Sequence, residues 1–149
     1  MSHCLIVQLS KEPIDKEDFI TPNTFDEDPD IEYVSDYVCE RDNYEDDVKW
    51  FLEQLGDSVT YDKSDNSITF VNKEEYFKED FEEFSKLVQN CTLKDFCDHD
   101  WMFKVQRYVR PWFDTYIYTY YSQPMGEFVR DYGNAGEKFY IGGICDYHC

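Results

Sequence analysis

The sequence predicts an α+β fold: a single domain with an antiparallel or mixed β-sheet of about five strands and two to four helices packed against it. Three observations carry that reading. Runs with helical period and short β-rich runs follow one another without regular alternation. The chain has 149 residues, enough to bury most of its apolar surface in one domain. Hydrophobic residues make up 42% and aromatics 19%, which separates it from disordered acidic segments, where no core calls for aromatics.

Residues 3–9 (HCLIVQL) are apolar and β-rich, and predict a buried strand. Residues 10–43 hold Pro13, Pro22 and Pro29 and read mainly as loop. A short helix is expected over 31–39, where Ile31, Val34 and Val38 fall at helical spacing. Residues 44–55 predict a helix: Tyr44, Val48, Phe51, Leu52 and Leu55 form one stripe, three acids open it and Gly56 follows as a stop. Residues 58–62 and 67–71 are β-rich and joined by KSDN, a hairpin signal.

The clearest helix lies over 73–89, where Phe77, Phe81, Phe84 and Val88 make one apolar face that is expected to point into the core. Thr92 with residues 94–97 predicts one more short helical turn. Residues 101–109 and 113–121 are aromatic and β-branched on either side of Arg110-Pro111, and predict a hairpin. Residues 124–132 predict a short helix with Phe128 and Val129 inward. The stretch 138–145 (KFYIGGIC) predicts a closing strand whose glycine pair marks a bulge.

Charge is the strongest functional signal. The net charge is −19, and residues 1–100 carry all of it, with 28 acidic and 9 basic residues. Residues 101–149 are neutral, with 5 of each, and hold half of the 28 aromatics. Three acidic clusters are the expected contact surface: Glu75, Glu79, Glu82 and Glu83 rowed on a helix; Asp26, Glu27, Asp28 and Asp30; and Glu45, Asp46 and Asp47. Glu75, Glu79 and Glu83 stand at i, i+4 and i+8, so their carboxylates share one ridge, at a cost of a few tenths of a kcal/mol per like-charged pair. Duplex DNA presents a phosphate charge about every 1.7 Å of its axis, and rowed carboxylates imitate that field. The bland alternative is acidity that serves solubility alone.

Six cysteines raise the question of disulfides or metal. The N-terminus has only a short apolar run, Cys4 to Val7, with no basic segment before it, and no apolar stretch approaches the roughly 18 residues that span a membrane. A cytoplasmic protein with reduced, metal-free thiols and no cofactor is therefore expected. Zinc takes thiolate and imidazole ligands, and Cys91, Cys97, His99, Cys145 and His148 are of those types, but their spacings form no knuckle. His3-Cys4 and Cys149 complete the inventory at the two ends.

Catalytic signals are weak. Asp98-His99-Asp100 sets a base between carboxylates without a partnered nucleophile, and Cys97 or Cys145 needs a base brought close in space. DEDPD at 26–30 is no calcium loop, because Ile31 stands where glycine is required and Tyr37 where glutamate is required. Phosphate-cradling and nucleophile-elbow motifs are absent. The run WFDTYIYTYY over 112–121 offers stacking surfaces, but only Lys104, Arg107 and Arg110 supply nearby cations, so direct nucleic-acid binding is not expected. Small size and acidity without a catalytic motif are shared by DNA-mimicking antirestriction and anti-CRISPR proteins and by immunity proteins, a likeness of composition and not of motif. The expected role is a non-catalytic binding or inhibitor protein for a basic, nucleic-acid-handling protein, with no membrane contact. The rival expectation is a small zinc- or thiol-dependent enzyme.

Overall fold

The computed structural model describes residues 3–109 and 114–148. It has a seven-stranded mixed sheet and, among the described residues, six α-helices, so the α+β expectation holds with more strands and more helices than foreseen. The chain divides into two compact units, one of residues 1–76 with 113–149 and one of residues 77–112.

The sheet unit is organised around its first and last strands. Strand β1 (His3–Ser10) runs antiparallel to β7 (Lys138–His148), whose residues from Phe139 onward are mostly buried. Strand β5 (Tyr116–Tyr118) lies parallel to the other edge of β1 and pairs with β6 (Ser122–Pro124). The hairpin of β3 (Val59–Asp62) and β4 (Ser67–Phe70) forms as its turn signal predicts, and β4 joins the early part of β7. Farther along the same edge, β2 (Tyr37–Glu40) pairs with residues 145–148.

The glycine pair does mark a bulge. Val7 pairs with Ile144 and Leu9 with Ile141, so Gly142 and Gly143 stand opposite the single residue Gln8. Gln8 uses the opening: its Oε1 accepts hydrogen bonds from the Ile20 and Gly143 amides at 3.0 and 2.9 Å, while its Nε2 donates to the Asp18 carbonyl at 3.0 Å. A Cβ on Gly143 would stand 2.9 Å from both backbone N and O of Ile20, so the close approach requires glycine.

Helix α2 (Tyr44–Leu55) matches its prediction. Asn43 caps it by accepting from the Asp46 amide, Gly56 ends it at a φ of 53°, and Val48, Phe51 and Leu55 are buried. Helix α6 (Met125–Tyr132) buries Met125, Phe128 and Val129 and sets Phe128 edge-on to Phe139, with ring centroids 5.0 Å apart. One face of the sheet is closed by Ile20, Phe25 and Ile31, packed with Ile6, Tyr116, Cys145 and Tyr147. The helix expected over 31–39 is shorter and earlier. It is α1 (Pro29–Val34), capped by Asp28, and the chain then extends into β2 because the edge of β7 offers it a ladder.

The second unit contains most of α3 (Glu74–Gln89), with α4 (Leu93–Phe96) and α5 (His99–Val109). Two expectations are corrected here. The apolar stripe of α3 is not core: no residue of the helix is buried, and Phe81 and Val88 are 68% and 48% exposed. A unit of about 36 residues has too little volume to enclose such a stripe. The predicted strand over 101–109 is helical, since Trp101, Val105 and Tyr108 recur at i, i+4 and i+7 beneath a β-like composition. The hairpin expected across Arg110-Pro111 does not form, because β5 pairs with β1 and β6 instead; residues 110–113 themselves lie outside the described residues.

Candidate functional site

The structure sorts the charge differently from the sequence. Residues 77–112 hold seven acids and six bases, a net of −1, so the sheet unit carries −18. The α3 row of Glu75, Glu79, Glu82 and Glu83 is exposed as expected. Lys78, Lys86, Lys104 and Arg107 lie in the same unit as most of that row, and Glu83 accepts a hydrogen bond from the Tyr108 hydroxyl at 2.7 Å.

The acid accumulates in residues 12–57, where seventeen carboxylates meet only Lys16, Arg41 and Lys49. Fifteen of the seventeen are exposed, among them Asp26, Glu27, Asp30, Glu45 and Asp46. The two exceptions correct the predicted surface. Asp28 Oδ1 accepts from the Asp30 and Ile31 amides at 3.0 and 3.2 Å and Oδ2 from Ser122 Oγ at 2.6 Å, so its carboxylate is committed to the fold. Asp47 is only 3% exposed and receives Arg41 on both oxygens, Nη2 donating to Oδ1 at 2.8 Å and Nε to Oδ2 at 3.2 Å.

The cysteines and histidines also regroup. His99 is exposed at the start of α5, and Asp98 Oδ1 accepts from the Asp100 amide at 2.8 Å, so the Asp-His-Asp triplet is a helix start, not a catalytic array. Cys91, Cys97 and His99 do not form a group of three metal donors within reach of one another among the described residues. Burial pushes the Cys145 thiol up to about 12, which removes it as a nucleophile near neutrality. Cys149 lies outside the described residues.

A different set does converge. His3 pairs with His148 across β1 and β7, Asp146 pairs with Leu5 and with Cys39, and Tyr37 pairs with His148 across β2 and β7. Cross-strand partners share a face, so His3, Tyr37, Cys39, Asp146 and His148 all emerge on one side. His3 Nδ1 lies 2.9 Å and His148 Nε2 3.6 Å from Asp146 Oδ2, and Cys39 Sγ lies 3.4 Å from His148 Nε2. Burial, then the Asp146 carboxylate, raises the Cys39 thiol above its ordinary value, against the opposing pull of Arg41. Chain separations of more than a hundred residues hid this set; only a correct pairing of β2, β7 and β1 would have revealed it.

An open cleft of about 440 Å³ lies elsewhere on the sheet unit, lined by Lys11, Tyr120, Tyr121, Phe128, Tyr132 and Phe139. It holds none of the cysteines or histidines, so this cleft and the nucleophile-class side chains do not coincide. No helix among the described residues is long and apolar enough to cross a membrane. No family model matches the chain, and no curated protein or solved structure does.

Proposed function

We propose that this chain is a non-catalytic, cytoplasmic binding protein that engages a basic nucleic-acid-handling protein through the carboxylates of residues 12–57, in place of phosphates. The observation that supports the reading is the exposure of fifteen carboxylates against three basic residues in that stretch. Seventeen acids in 46 positions repel one another in the folded state, and a cationic partner surface relieves that repulsion. The α3 row is a second, locally neutralised contact. Separation of the cleft from the cysteines and histidines favours binding over catalysis.

The experiment reverses three patches separately: Asp26/Glu27/Asp30, Glu45/Asp46 and Glu79/Glu83, each to Lys. Proteins captured from host lysate are then measured for affinity at several ionic strengths. Reversal of either sheet-unit patch weakens binding, and affinity falls steeply with salt, because exposed charges are screened over about 8 Å at physiological ionic strength. Unchanged capture by all three variants leaves solubility as the meaning of the acidity.

A further inference from the structure

We propose that His3, Asp146 and His148 form a structural zinc-class metal site that clamps β1 to β7, with Cys39 of β2 drawn in as fourth donor when the ion binds. This is independent of the acidic-surface reading. The geometry supplies three of the four donors: ligand atoms of His3, Asp146 and His148 lie within 4.8 Å of one another. Cys39, which is not within that reach of all three, approaches His148 and completes the set by a side-chain movement. Zinc bonds of about 2.0–2.1 Å to nitrogen and oxygen and about 2.3 Å to sulfur, at tetrahedral angles, put donor atoms roughly 3.3–3.6 Å apart. Cys39 Sγ to His148 Nε2 is 3.4 Å and His148 Nε2 to Asp146 Oδ2 is 3.6 Å. His3 Nδ1 to Asp146 Oδ2 is 2.9 Å, a gap that a small turn of the half-exposed His3 ring opens.

A second observation points to a ligand. Asp146 is 3% exposed, and its Oδ1 is buried with no hydrogen-bond partner. A buried carboxylate oxygen without a donor is costly; the donor contacts above run to Oδ2, so the ion satisfies Oδ1 by being held through both oxygens of Asp146. The surroundings fit too. Tyr37 stacks on the His148 ring at 4.1 Å and its hydroxyl lies 3.0 Å from Nδ1. With Nδ1–H donating to that hydroxyl, Nε2 keeps its lone pair for the metal. Arg41 Nη1 stands 3.5 Å from Asp146 Oδ2 and would oppose a cation, but its guanidinium is already paired with buried Asp47. His3, with 57% of its side chain exposed, leaves a path for entry. His3, Asp146, His148 and the Cys39 thiolate make four protein ligands, which closes the coordination sphere as in a structural site rather than a catalytic one.

The test titrates Co²⁺, then Zn²⁺, into the chelator-treated full chain under reducing conditions. One Co²⁺ per chain is expected, with tetrahedral d–d absorption and a thiolate charge-transfer band, both lost when Zn²⁺ displaces it. Cys39→Ser should remove the charge-transfer band. His3→Ala should weaken binding by more than the ~10–100-fold that losing an outer-shell partner costs. A Cys91→Ser/Cys97→Ser double variant should bind as the parent does. Zn²⁺ should raise the melting temperature of the parent but not of His3→Ala, whose fold is checked by circular dichroism. His3→Gln replaces it if that variant misfolds. The proposal is overturned by failure to take up one metal per chain, by an octahedral spectrum without the thiolate band, or by binding that survives His3→Ala and disappears with Cys91 and Cys97.

Discussion

Of the two carboxylates withdrawn from the acidic surface, Asp47 has the larger energetic consequence. Its cationic partner is Arg41, and removing that partner leaves a buried charge uncompensated. Arg41→Ala should therefore cost about 1–3 kcal/mol, below the figure for a fully buried pair because the arginine side chain is 39% exposed, and urea denaturation measures it. Asp46→Ala, one residue away and exposed, should change stability by less than about 1 kcal/mol net of its cap contact. Tyr116 gives the pH dependence. Burial raises its phenol from 10.0 to about 12, so the unfolded chain releases that proton first. The sign follows: its contribution is complete below about pH 10 and is lost as pH rises toward 12. Spectroscopic titration of the tyrosines should show one late-ionising group that Tyr116→Phe removes.

At the scale of elements, burial separates two helices that look equally amphipathic. Phe51 of α2 is 0% exposed and Phe81 of α3 is 68% exposed. Phe51→Ala should cost about 3–5 kcal/mol, whereas Phe81→Ala should stay within about 0.5 kcal/mol in chemical denaturation. Equal losses would mean that the α3 stripe is packed after all. Periodicity told where a helix was but not whether anything covered it, which is why α3 was legible as a helix and misread as core. Elements bounded by local chemistry were readable: Asn43 and Gly56 delimit α2, KSDN turns the β3–β4 hairpin, and the Gly142-Gly143 pair bulges β7. Elements defined by distant partners were not. β2 exists because residues 145–148 offer it an edge, and α5 was hidden by aromatic and β-branched residues at helical spacing. The converging donors His3, Asp146 and His148, with Cys39 beside His148, belong to this second kind.

Across the whole chain, the charge belongs to one structural unit rather than to a stretch of sequence: −18 in the sheet unit and −1 in the helical one. A field of that size acts on association more than on folding. Raising salt should therefore stabilise the free protein slightly, by relieving repulsion, while weakening its complex; thermal melts and binding isotherms over the same salt series read both slopes. On the proposed function, the carboxylates of residues 12–57 occupy a partner's phosphate-binding surface. The most direct test is competition: the captured partner is immobilised with this protein bound, and duplex DNA is added at fixed ionic strength. DNA should displace the protein in proportion to its own occupancy, with no ternary complex, and Asp26/Glu27/Asp30→Lys reversal should lower the DNA needed. A partner that holds DNA and this protein together would contradict the proposed function.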